Sequence, residues 1–166
     1  DRLGIPSIKM SDGPNGVRGD GNSGKSSACF PCAISIGSYW NLNLINTLGE
    51  ELASEAKLKD VDVLLGPTIN IHRHPLGGRH FECFSEDPFL TGKIAIEYVK
   101  GVQSKNIAAC LKHFVGNDTE FERYTVSSNI DERTLREIYL LPFEMAIKEA
   151  NAKVVMSAYN KLNNIY

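Results

Sequence analysis

Apolar residues along this chain fall into segments whose spacing alternates between strand-like runs and helix-like stripes. Residues 7–12 read as a short strand running into the turn cluster Asp12-Gly13-Pro14-Asn15-Gly16. The Gly/Ser-rich stretch 19–27 predicts a loop. Leu44, Leu48, Leu52 and Ala56 recur every four positions and predict a helix over 44–58. Residues 61–66 have the composition of a buried strand, which leads to Ile69-Asn70-Ile71 and a long loop from 72 to 84. Asp87 followed by Pro88 is a helix start, and Leu90, Ile94, Tyr98 and Val102 form that helix's stripe. Residues 107–115 predict a third strand and 116–128 a polar loop. Asp131 caps the next helix. Pro142 predicts a break in it, followed by a second short helix to Ala150. Residues 153–159 form the fourth strand, and 160–166 are polar.

The resulting order, β-α-β-α-β-α-β, predicts a parallel sheet. The chemically distinctive residues collect at one edge of it. Asp12 and Arg18 follow the first strand, and His72, Arg73, His74, Arg79, His80 and Glu82 follow the second. Lys112, His113, Asn117, Asp118, Glu120 and Arg123 end or follow the third, and Met156 and Tyr159 close the fourth. Active sites of parallel α/β folds lie at the carboxyl ends of the strands. A closed (β/α)8 barrel takes about 250 residues, so four strands in 166 residues predict a partial one. The fold class expected is α/β, a partial TIM-type (β/α)8 barrel of about four strands with intervening helices. Residues 1–166 are read as part of an N-terminal catalytic barrel domain.

Composition narrows the function classes. A formal net charge of −2 supplies no basic excess for phosphates, so neither nucleic acid nor an anionic membrane surface is expected as a partner. No apolar run approaches the ~20 residues of a membrane span. The four cysteines suit free thiols in a reducing compartment, which leans towards the cytoplasm and leaves secretion open. Cys29-Phe-Pro-Cys32 has redox spacing but lies in a Gly/Ser-rich stretch, and without a second pair it suits zinc poorly.

Four motifs occur in order: 11–18 (Ser-Asp-Gly-Pro-Asn-Gly-Val-Arg), 78–88 (Gly-Arg-His-Phe-Glu-Cys-Phe-Ser-Glu-Asp-Pro), 112–117 (Lys-His-Phe-Val-Gly-Asn) and 156–160 (Met-Ser-Ala-Tyr-Asn). Together they resemble family 3 glycoside hydrolases, most closely the fungal and bacterial β-glucosidases, over essentially the whole chain. The resemblance implies a retaining hydrolase that removes glucose from the non-reducing end of β-glucosides or cello-oligosaccharides without a cofactor. It implies a glucose pocket lined by Asp12, Arg18, Arg79, Lys112, His113, Arg123, Met156 and Tyr159. It also implies that the nucleophilic Asp and the acid/base Glu lie outside residues 1–166, so the rest of the polypeptide is a necessary partner and these residues alone are expected to be inactive.

The residue chemistry fits a sugar. A pyranose presents a ring of hydroxyls, and hydrogen bonds to charged groups contribute about 1.5–3 kcal/mol each. Asp12 accepts from two hydroxyls, Arg79, Lys112 and His113 are read as donors, and Arg18 and Arg123 as groups that orient Asp12 or one another. Tyr159 brings a hydroxyl, and Met156 an adaptable apolar wall. Glu86-Asp87 reads as helix-start acid; Asp118, Glu120 and Glu122 read as solvated or paired with Arg123. Asn117-Asp118-Thr119 is a glycosylation sequon beside the cleft, where a glycan would block access. Three alternatives stay open: a β-xylosidase or related exo-glycosidase, a non-catalytic sugar-binding module, and an amidohydrolase-type barrel with metal on His72, His74, His80 and His113.

Overall fold

The computed structural model describes residues 2–19 and 25–166. The loop expected at 19–27 falls largely on 20–24, outside the described residues. Four parallel strands form one sheet: β1 (Met10–Ser11), β2 (Val63–Leu64), β3 (Ala108–Phe114) and β5 (Val154–Ser157), ordered β1-β2-β3-β5. Each new strand adds beside the previous one. That is the winding of a barrel, since a doubly wound sheet reverses its order part-way. The fold is therefore α/β and of TIM-barrel type.

The strands are shorter than the hydrophobic pattern suggests. Residues 7–12 reduce to a two-residue ladder in which Met10 pairs with Val63. Lys9 instead donates its backbone N–H to the Asp62 carboxylate at 2.8 Å. A ladder needs a neighbour at every position, and the apolar Ile8 and Met10 of this segment are exposed rather than buried. Thr68 extends the second strand's line only as isolated bridges to Cys83 and Lys112.

The helices stack beside the sheet. In α2 (Leu42–Leu58) the Asn41 side chain accepts from the Leu44 N–H at 3.1 Å. Its buried face is Ile45, Gly49, Leu52, Ala53 and Ala56, while Leu44 is exposed. The expected four-residue stripe is thus half right. Steps of four advance about 40° beyond a full turn, so Leu44 and Ala56 cannot share one face. In α3 (Pro88–Ser104), Asp87 accepts from the N–H groups of Phe89 and Leu90 and Pro88 occupies the first turn, as expected. The two helices meet backbone to backbone at glycines: a Cβ on Gly101 would stand 2.1 Å from the Asn46 carbonyl oxygen, and one on Gly49 2.6 Å from that of Tyr98. Tyr98 lies buried on α3 and donates its hydroxyl to the Pro14 carbonyl at 2.7 Å, which anchors the loop after β1.

Asp131 caps α4 (Glu132–Thr134), accepting from the Thr134 N–H at 3.1 Å. One wide π turn (Leu135–Tyr139) follows, and then α5 (Leu141–Ala150), with Pro142 in its first turn. The break expected at Pro142 is this junction. Two features were not expected: α1 (Ala33–Gly37), which starts at Cys32, and a small parallel pair of β4 (Ser127–Ser128) with β6 (Lys161–Leu162). All four cysteines are free. Among the described residues, no helix is long and apolar enough to cross a membrane.

Candidate functional site

The first strand ends in a turn that only glycine can make. Gly13 has φ +118°, and a Cβ there would fall 1.9 Å from the Gly16 carbonyl oxygen. The turn is closed by Arg18 N–H donating to the Asp12 carbonyl at 2.9 Å. From the helix layer, Glu55 on α2 accepts from the backbone N–H groups of Val17 and Ala28, both at 2.8 Å. Lys59, one turn on, reaches Glu55 at 3.0 Å and donates to the Val17 carbonyl. Burial alone would raise the Glu55 pKa. The Val17 N–H, Lys59 and the Ala28 N–H outweigh it and hold the carboxyl below its ordinary value. The loop that carries Asp12 is thereby fixed from behind.

The loop after β2 presents Arg79. Its Nε donates to Glu82, whose other oxygen accepts from the Thr68 hydroxyl at 2.9 Å. Burial would raise the Glu82 pKa, but Arg79 and Thr68 together bring it down. Glu82 is therefore an ionised orienting group. Arg79 also reaches His113 Nε2 at 3.3 Å. An arginine only donates, so His113 accepts there and carries its proton on Nδ1, 3.4 Å from Asn70 Oδ1. Asn70 also holds the His113 backbone, accepting from its N–H and donating to its carbonyl, each at 2.9 Å. Burial, aided by the charges of Arg79 and Lys112, pulls the His113 pKa down to about 4. His113 therefore sits at the cleft as a neutral ring that positions Arg79. Its two ring nitrogens face Arg79 and Asn70.

Lys112 is 3% exposed and places its ammonium 3.4 Å from Asp12 Oδ1. The Lys112–His113 and Phe114–Val115 peptides are cis, and the register with β5 is irregular here. Arg18 stands 3.9 Å from the other Asp12 oxygen and is exposed. Arg123 pairs with Glu120 at 2.9 Å and lies over the rings of Tyr124 and Tyr159, 5.0 and 5.4 Å from their centroids. Glu120 in turn accepts from Asn117 at 2.9 Å, which occupies the sequon side chain.

Seven of the eight candidates line one cleft of about 510 Å³: Asp12, Arg79, Lys112, His113, Arg123, Met156 and Tyr159. Arg18 lines an adjoining recess of about 430 Å³ that shares Asp12, Arg79 and Lys112. A cation-rich cleft with one carboxylate and an aromatic wall is equipped to grip a polyol. Retaining hydrolysis needs two carboxyl groups about 5–5.5 Å apart, and among the described residues the one carboxylate lining this cleft is that of Asp12. Sequence reasoning missed Thr68 and Asn70. Asn70 had a signal, an amide between two isoleucines in a buried run.

Two expectations fail. The four histidines do not converge on a metal: among the described residues the ligating atoms that come together belong to His72, His80 and Cys83, while His113 faces Arg79. Asp118 is not solvated; it is buried, neither oxygen is hydrogen-bonded, and Arg73 lies 3.8 Å away. Burial pushes its pKa up to about 6, against the pull of Arg73 and the nearby Tyr139 hydroxyl. A carboxyl whose folded pKa exceeds its ordinary 3.8 costs stability at high pH, and the cost disappears as pH falls through that interval. Asp118→Asn is therefore expected to raise the melting temperature above pH 6 and to leave it unchanged near pH 4. A difference of the opposite sign or one independent of pH, read by calorimetry, would contradict this.

The Glycosyl hydrolase family 3 N terminal domain profile matches residues 1–165. A β-glucosidase of Rhizobium radiobacter is 58% identical over all of this chain, which covers 20% of that protein. β-Glucosidase B of Emericella nidulans is 52% identical over 98% of this chain and 19% of its own length. The chain thus spans about a fifth of these relatives. The crystal structure of Kluyveromyces marxianus β-glucosidase in complex with glucose superposes with a TM-score of 0.96 at 50% identity, covering 99% of this chain and 20% of that one. Thermotoga neapolitana β-glucosidase 3B in complex with glucose gives 0.94 at 46%, over 99% and 24%.

Proposed function

The chain belongs to glycosyl hydrolase family 3, and on that premise we propose that it forms the sugar-gripping part of a retaining β-glucosidase. The observation that carries the proposal is the cleft, where the ends of four strands and the loops after them bring Asp12, Arg79, Lys112, Arg123, Met156 and Tyr159 around a space of about 510 Å³, with room for a monosaccharide. Asp12, held between Lys112 and Arg18, accepts from two neighbouring hydroxyls of the terminal glucose. Arg79, set by Glu82 and His113, donates to another, as does Lys112. Tyr159 and Met156 form the wall, with Arg123 stacked on the tyrosine. The relatives solved with glucose support a glucoside as substrate.

The nucleophilic Asp and the acid/base Glu belong to other parts of the polypeptide. Residues 1–166 act as part of a catalytic barrel domain, and the wider set of partners is the substrate and the rest of the same protein. The full-length protein is expected to hydrolyse an aryl β-glucoside with retention at the anomeric carbon, with glucose as competitive inhibitor. Residues 1–166 alone are expected to show no turnover. Proton NMR of the first-formed sugar checks the stereochemistry; inversion, or a preference for β-xylosides over β-glucosides, would refute the reading.

A further inference from the structure

The loop that carries Arg79 has a second cluster on its far side. One ring nitrogen each of His72 and His80 and the Cys83 sulfur lie within 4.8 Å of one another. The His72 and His80 ring centroids are 4.9 Å apart. These three groups take no part in the sugar cleft, which is lined by the other face of the same loop.

Two features make the cluster suited to a metal. His72 Nε2 lies 3.0 Å from the carbonyls of His80 and Cys83, and His80 Nε2 contacts the His74 carbonyl. A carbonyl only accepts, so each ring donates from Nε2, which leaves Nδ1 as the nitrogen that can face a metal. Ligand histidines usually have this support, their second nitrogen donating to a backbone carbonyl. Gly77 lets the His80 ring lie against the turn, since a Cβ there would stand 2.0 Å from His80 Nε2. The second feature is access. His72 and His80 line an open cleft of about 400 Å³ with Glu86 on its rim, while Cys83 is buried beneath. Arg73 also lines this cleft, with its guanidinium 3.8 Å from Asp118.

We infer that His72, His80 and Cys83 form a binding site for a thiophilic divalent cation of the zinc class, which staples the two ends of the loop presenting Arg79. Two imidazoles and one thiolate are a borderline-soft donor set, and water completes a tetrahedron. On binding, the Cys83 thiol releases its proton to solvent and the sulfur bonds the metal. The ion is structural or regulatory and does not touch the reacting sugar.

The test uses Co2+ as a spectroscopic stand-in for zinc on the full-length protein. The expected result is the near-ultraviolet charge-transfer band of a cobalt–thiolate bond, lost on competition with Zn2+. Cys83→Ser should abolish the band, and His80→Asn should keep it but weaken Zn2+ binding at least about tenfold by calorimetry. No band with the unmodified protein would overturn the site. So would a band that survives Cys83→Ser and vanishes in a Cys29→Ser, Cys32→Ser double variant, or a Zn2+ affinity untouched by His80→Asn. None of these readouts involves glycoside hydrolysis, so their failure leaves the proposed activity standing, and the reverse.

Discussion

Replacing Asp12 by Ala in the full-length protein is expected to lower kcat/KM for an aryl β-glucoside by about 100-fold or more. In the proposed pocket its carboxylate accepts two hydroxyls, and hydrogen bonds to charged groups contribute about 1.5–3 kcal/mol each. A second effect adds to this. Lys112 is buried with its ammonium 3.4 Å from Asp12, so the substitution leaves a charge without its nearest counter-ion in a low-dielectric wall. Lys112→Ala is expected to produce a loss of similar size, and the double variant far less than the sum of the two, because one ion pair is removed in both. The loss should appear in kcat as well as KM if these contacts tighten as the sugar ring distorts. Steady-state kinetics of the three variants decides. Unchanged kcat/KM in both single variants would remove Asp12 and Lys112 from the pocket.

Gly101→Ala is expected to destabilise the protein by at least about 3 kcal/mol, the upper range of overpacking. Helix propensity alone predicts the opposite sign, since Ala is favoured over Gly by about 1 kcal/mol in a helix interior. The two effects can be weighed from the geometry. The new Cβ would stand 2.1 Å from the Asn46 carbonyl oxygen and 3.0 Å from the Glu50 nitrogen, and both are backbone atoms of α2 that cannot rotate aside. The α2–α3 crossing must open to admit it, and with it the buried contacts of Leu52, Val99 and Val102. Urea unfolding of the variant measures the change. A neutral or stabilising result would show that the helices are not held at this separation.

The sequence shows most clearly what is local and covalent in origin. Asp87 with Pro88 could only start a helix, and Pro142 could only sit near the start of one; both do. The parallel order of four strands and the gathering of polar groups at one edge were also readable, because they need only element type and direction. What was not readable is set by distant neighbours. β4 and β6 consist of Ser127, Ser128, Lys161 and Leu162, whose composition carries no strand signal; they pair because the loop after β3 is held against the chain after β5, with Asn160 donating to the Val115 carbonyl at 3.1 Å. Asp118 lies among charged loop residues, yet it is buried where its neighbours Glu120 and Glu122 are not. The seven cleft residues were legible as a set through family resemblance. The contacts of His113 with Arg79 and Asn70 depended on two distant residues converging on one ring, which no spacing rule encodes.

The Asp12–Lys112 pair has a consequence for how the pocket comes into being. The two residues stand 100 positions apart along the chain, so the cleft edge they form has no partial version. It exists only once the β1 turn, the Arg79 loop and β3 have all docked, after most of the loop-closure entropy has been spent. On the proposed function, a sugar held there binds the docked state and stabilises it by mass action as its concentration exceeds Kd. On the same proposal, substrate acts on the folding equilibrium as well as on the chemistry.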